Sequence, residues 1–103
     1  MNEENEKLVK ELKEGNPTYL TYLEMPDGSL CCIARFAFTY AILSGLNNWG
    51  YEDRWCYHDI TTALQALIEW AEFYDTQDEP RHWHRHPKTG RRIDEHGNEY
   101  INF

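Results

Sequence analysis

The rhythm of hydrophobic and polar positions changes several times along the chain, and each change predicts a new element. Between Asn2 and Glu14, Leu8, Val9 and Leu12 fall on one side, while Glu3 to Lys7 and Glu6 to Lys10 stand at the four-residue spacing that supports a helix. Gly15, Asn16 and Pro17 stop it. Three apolar residues are a thin anchor, so this helix must dock on the body or pair with another chain, and a homo-oligomer formed through it is one expectation. From Thr18 the texture turns aromatic and β-branched. Two such runs flank Asp27-Gly28, a hairpin signal because glycine accepts the positive φ of tight turns, and they predict strands at 18–24 and 29–36. The run Phe38 to Leu46 fits a buried strand or a helix, and a strand is preferred. Asn47, Asn48 and Gly50 form a loop carrying Trp49 and Tyr51, and Arg54 to Tyr57 reads as a fourth strand.

Asp59 can cap a helix over Ile60 to Tyr74, in which Ile60, Ala63, Leu64, Leu67, Ile68 and Ala71 make an apolar stripe to cover one sheet face. Gln77 to Pro80 break the pattern. Residues 76–103 read as an irregular arm with a small hairpin pairing 91–93 with 100–102. The expected fold is α+β: a small antiparallel sheet of about four strands covered by one main helix, with an extra N-terminal helix and an irregular C-terminal arm. The divisions fall at 1–16, 17–75 and 76–103.

Composition narrows the function classes. A chain of 103 residues holds one core, and a large multi-step enzyme is excluded. It has no run of 18 apolar residues and its opening is charged, so neither a membrane span nor a signal peptide is expected, and the protein is read as soluble and cytoplasmic. Cys31, Cys32 and Cys56 are too few and odd in number for a disulfide framework, and they read as reduced, buried thiols. Adjacent strand residues point to opposite faces, so Cys31 and Cys32 cannot share one site without a bulge. The net charge of -8 is unevenly divided: -2 over residues 1–16, -8 over 17–80 and +2 over 81–103. An acidic body therefore ends in a basic tail that holds four of the five histidines.

That tail, Arg81-His82-Trp83-His84-Arg85-His86-Pro87-Lys88-Thr89-Gly90-Arg91-Arg92, invites two chemistries. His82, His84 and His86 on one edge of an extended segment are weak candidates for a divalent metal; the flanking arginines repel a cation, and no metal or other cofactor is expected. The second chemistry is anion binding. Arg85, Arg91 and Arg92 could contact phosphate, the Thr89-Gly90 step could offer backbone N–H groups, and Trp83 could stack on a base. Repulsion between the acidic body and a polyanion opposes generic nucleic-acid binding. Cys56 and His58, two apart, could form a thiol-imidazole pair, but no third orienting group or oxyanion motif accompanies them. Glu52 and Asp53, like Asp75, Asp78 and Glu79, are paired carboxylates only in sequence, and a solvated acidic face is the default. Phosphate-binding glycine loops, nucleophile elbows and zinc-finger spacings are absent.

The block Gly50-Tyr51-Glu52-Asp53-Arg54-Trp55-Cys56-Tyr57, the helix with Ala63, Ala66, Leu67 and Trp70, then Glu79-Pro80 and the Trp83-His84-Arg85-His86-Pro87 and Thr89-Gly90-Arg91-Arg92 motifs resemble a group of small phage and prophage proteins. The resemblance covers about residues 18–100. It implies phage origin and a compact α+β unit, and it carries no assigned reaction; the Glu- and Lys-rich helix is extra to it. The resulting expectation is a non-catalytic accessory protein that binds a host or phage macromolecule, most simply a protein with a basic surface. Trp49, Tyr51, Trp55 and Trp83 are the expected aromatic anchors. Nucleic-acid or nucleotide binding by the tail and a small metal-dependent hydrolase are the alternatives.

Overall fold

The computed structural model describes residues 1–37 and 39–83, together with the backbone of two short strands near the C-terminus. Helix α1 (Glu3–Gly15) is followed by a meander of four strands: β1 (Tyr19–Glu24), β2 (Leu30–Arg35), β3 (Tyr40–Ser44) and β4 (Asp53–Tyr57). Helix α2 (Ile60–Glu72) comes next, then β5 (Arg92–Ile93) and β6 (Glu99–Tyr100). All neighbouring strands are antiparallel and stand in sequence order. The expected α+β architecture is the one observed. Among the described residues no helix is long and apolar enough to cross a membrane.

Local chemistry sets the boundaries. Asn2 caps α1, its Oδ1 accepting from the Asn5 backbone at 2.7 Å, and three glutamates in the first turn complement the helix dipole. Asn16 ends the helix, its backbone N–H and its side-chain amide both donating to the Leu12 carbonyl. In the first hairpin Asp27 Oδ1 accepts from both the backbone and the hydroxyl of Ser29, while Gly28 supplies φ +88°. Asp59 caps α2 by accepting from the Thr62 backbone and hydroxyl.

Both sheet faces are covered, and this explains the run that periodicity left ambiguous. One face packs Cys31, Ile33, Ile42, Trp55 and Tyr57 against Ala63, Ala66, Leu67 and Trp70 of α2. The other packs Cys32, Ala34, Ala41, Leu43 and Cys56 beneath Leu12 of α1, with Leu8 and Val9 partly buried. A strand buried on both faces has no polar side to alternate with, so β3 reads as an unbroken apolar run. Cys31 and Cys32 go to opposite cores, as alternation requires. The apolar side of α1 is thus engaged within the chain, and self-association through this helix would have to use its charged side.

Helix α2 departs from expectation in rotation and length. Ala66 and Trp70 join Ala63 and Leu67 in the core, whereas Ile60, Leu64 and Ile68 are 38%, 37% and 53% exposed. The cause lies beyond the helix, which ends at Glu72 rather than Tyr74. Residues 77–83 fold back along the β4 side: the Trp70 indole N–H donates to the Gln77 carbonyl at 2.8 Å, and the Tyr57 hydroxyl donates to the Arg81 carbonyl at 2.8 Å. Trp70 meets Trp55 edge to face at 5.2 Å, which turns this edge of α2 inward. The first part of the expected arm is therefore built into the body, with Gln77 and Pro80 buried. The small hairpin exists with a register one residue from that expected, Arg92 opposite Tyr100 and Ile93 opposite Glu99.

Burial decides the cysteine chemistry. None of the three is in a disulfide and none is exposed to solvent, and burial pushes the Cys31 thiol up to about 12 and the Cys32 thiol upward in the same sense. We expect no reaction of the native protein with a thiol reagent and release of all three thiols in denaturant. A thiol titrated in the native state would contradict the packing of both cores.

Candidate interaction site

The connection from β3 to β4 builds the most exposed aromatic feature of the described chain. Asn47 and Gly50 exchange backbone hydrogen bonds at 2.9 and 3.3 Å, closing a tight turn, and Asn47 Oδ1 accepts from the Trp49 backbone at 2.8 Å. Gly50 takes φ +143°, which a side chain would resist. Trp49 at the tip is 93% exposed. Beside it a groove of about 300 Å³ runs between the turn and α1, lined by Glu4, Lys7, Leu8 and Glu11 with Asn47, Asn48 and Trp49. Positions 4, 7, 8 and 11 share one helix face, so α1 presents two carboxylates, one ammonium and one partly buried leucine to the indole. The turn's hydrogen bonds fix the backbone beneath the indole, so less backbone freedom is lost on contact, which favours binding.

The other expected anchors have different surroundings. Trp55 is a core residue whose indole N–H reaches Glu79 Oε2 at 3.4 Å, and it offers no free face to a partner. Tyr51 is half-buried on the α1 side, with the Arg54 guanidinium 5.9 Å from its ring and 5.1 Å from that of Phe36. Trp83 packs partly buried against the α2-side core, and His82 is exposed with φ +67°. His84, Arg85, His86, Thr89 and Arg91 lie outside the described residues, and Arg92 is described only as backbone in β5. Among the described residues no three histidine, cysteine, aspartate or glutamate side chains are grouped to hold a metal ion. His58 is exposed just past β4 whereas Cys56 is fully buried.

A second concavity, of about 190 Å³, lies at the opposite end of the sheet from the start of α2. Asp27 comes from the first hairpin, Ser44, Gly45, Glu52 and Asp53 from around the β3–β4 connection, and Asp78 from the segment after α2, over a floor formed by Trp55 and Trp70. Carboxylates that were paired only in sequence are thus gathered with Asp27, which no local motif links to them; Asp75 and Glu79 do not line this cleft. Asp27 is fixed there by Ser29 and by the Tyr74 hydroxyl, which donates to Oδ2 at 2.9 Å.

Three carboxyls are held below their ordinary range by hydrogen bonds to the ionised form: Asp27 by Ser29, Asp59 by Thr62, and Glu24 by the Asn2 backbone and Asn5 side chain. Each is more acidic folded than unfolded, so the unfolded chain binds more protons in between. The stabilisation is complete above the ordinary values of 3.8 for aspartate and 4.5 for glutamate, and is lost as pH falls through the lowered folded values. The urea midpoint is therefore expected to hold above about pH 5 and to fall below about pH 4; a flat profile down to pH 2 would contradict these hydrogen bonds.

Compared with protein-family models, with curated proteins and with solved structures, the chain matches none.

Proposed function

We propose that this protein is a non-catalytic, phage-type accessory protein that binds and modulates a host or phage protein with a basic surface, acting in the host cytoplasm. The observation that carries the reading is Trp49, an almost fully exposed indole on a braced turn beside the Glu4 and Glu11 carboxylates. Large exposed aromatics are rare on soluble surfaces and common at the centres of interfaces. The charge of -8 adds long-range attraction for a cationic partner and repulsion for nucleic acid. The likeness of residues 50–57 and 79–92 to phage proteins supplies the biological setting.

The test is capture from lysate of infected cells, with and without nuclease treatment, on immobilised full-length protein, comparing wild type with Trp49→Ala. A retained set that is basic, eluted by salt and lost with Trp49→Ala supports the proposal. Retention independent of Trp49, or abolished by nuclease, contradicts it, the latter favouring nucleic-acid binding by the tail.

A further inference from the structure

The outer face of α2 carries an inference independent of the proposed function. We propose that it is the contact surface of a homodimer, in which a second copy of the chain packs its own α2 antiparallel about a twofold axis at Leu64. Ile60, Leu64 and Ile68 are all exposed and stand four residues apart, so they form one continuous aliphatic stripe rather than scattered surface residues. Thr61 and Gln65, the exposed residues beside them, are uncharged, and no charged residue occurs from 60 to 68. The solvent side of a surface helix is ordinarily polar and charged, as it is in α1, where eight of thirteen residues are charged. The outer face of α2 lacks that charge.

Charge and symmetry choose a second copy as the occupant. Two bodies that each carry -8 repel one another, and they meet at least cost through a face that has no charge of its own. The stripe is also its own complement. Turning one helix end for end about Leu64 sets Ile60 opposite Ile68 of the other copy, Leu64 opposite Leu64, and Asp59 opposite Glu69, and the two helix dipoles then oppose. Near the end of α2 the exposed Arg81 guanidinium stands 3.7 Å from the Glu69 carboxylate. These two and Phe73 line a cleft of about 200 Å³. The same rotation brings Asp59 of the other copy to that cleft, where Arg81 offers it the opposite charge, and symmetry makes the contact twice. From Ile60 to Ile68 the stripe runs about 12 Å, which places the contact among small, transient interfaces, and a dissociation constant of about 10–100 µM is expected. At the low-micromolar concentrations of an unfolding measurement the protein is then a monomer.

Sedimentation equilibrium of the full-length protein between about 5 and 500 µM is the test. The average mass is expected to rise from 12.3 kDa towards twice that value. Leu64→Glu, which sets two carboxylates face to face on the axis, should weaken association about tenfold or more, and so should Ile60→Glu. The double variant Ile60→Glu/Ile68→Lys should recover affinity to within about threefold of wild type, because the antiparallel pair sets 60 against 68. All three positions are exposed, so an unchanged thermal unfolding curve at low concentration separates lost association from lost fold. A wild type that stays monomeric throughout overturns the inference, as does a dimer indifferent to Leu64→Glu or a double variant no better than Ile60→Glu. In a monomeric wild type, a spin label on Leu64→Cys that broadens amides of residues 84–103 would give the stripe to the chain's own tail. Broadening seen only on adding the captured protein would give it to that protein, and either result replaces the dimer. None of these outcomes bears on Trp49-dependent capture, so the proposed function stands or falls separately.

Discussion

Replacing Trp70 with alanine is expected to cost about 3–5 kcal/mol of stability, a large part of the roughly 5–15 kcal/mol that holds a domain of this kind together. Three losses coincide at that position. The buried indole leaves a cavity between α2 and β4, its edge-to-face contact with Trp55 disappears, and the Gln77 carbonyl loses its donor. The last of these also frees the segment that folds back on β4, so the urea midpoint should fall sharply. Ile68→Ser, on the same helix but 53% exposed, should change stability by no more than about 0.5 kcal/mol. A larger cost for Ile68→Ser than for Trp70→Ala would show that α2 sits on the sheet in the rotation its periodicity predicts, with Ile68 covered and Trp70 outside the core.

Trp49→Ala is expected to have the opposite profile: no more than about 0.5 kcal/mol in stability, and at least ~2 kcal/mol, or roughly 30-fold, in partner affinity. The indole contributes almost nothing to either core, so its removal leaves no cavity, while the Asn47–Gly50 turn that supports it is made by backbone groups and Asn47 Oδ1. Raising salt should weaken wild-type and variant binding in parallel, because the long-range attraction comes from the whole acidic body. A loss of affinity accompanied by an equal loss of stability would mean that Trp49 acts through the fold.

The local elements were legible because their signals are local. Asn2 and Asp59 cap helices, Asp27-Gly28 turns a hairpin, and the strand boundaries shift by no more than two residues from those the pattern predicts. The rotation of α2 was not legible, because Ile60, Leu64 and Ile68 are as apolar as Ala63, Ala66 and Leu67; residues 77–83, a polar stretch that looks like the start of a loose arm, decide which of them are covered. Which tryptophan is exposed was hidden as well. Trp49 and Trp55 are both aromatic residues near glycine and acids, and only strand pairing separates an exposed turn tip from a core position. The acidic cleft was hidden more thoroughly: Asp27 and Asp78 are far apart in sequence, and the meander alone brings their loops to one end of the sheet. The one partial hint was the concentration of acid in residues 17–80, which gives the charge without its arrangement.

Binding through Trp49 is tested most directly by following the indole N–H resonances of the four tryptophans as the captured partner is added. Trp49 should shift or broaden saturably, with the partner stoichiometric at the end point, while Trp70, sealed in the core with its N–H on the Gln77 carbonyl, stays in place. An unmoved Trp49 resonance in a saturated complex would contradict the proposed function outright.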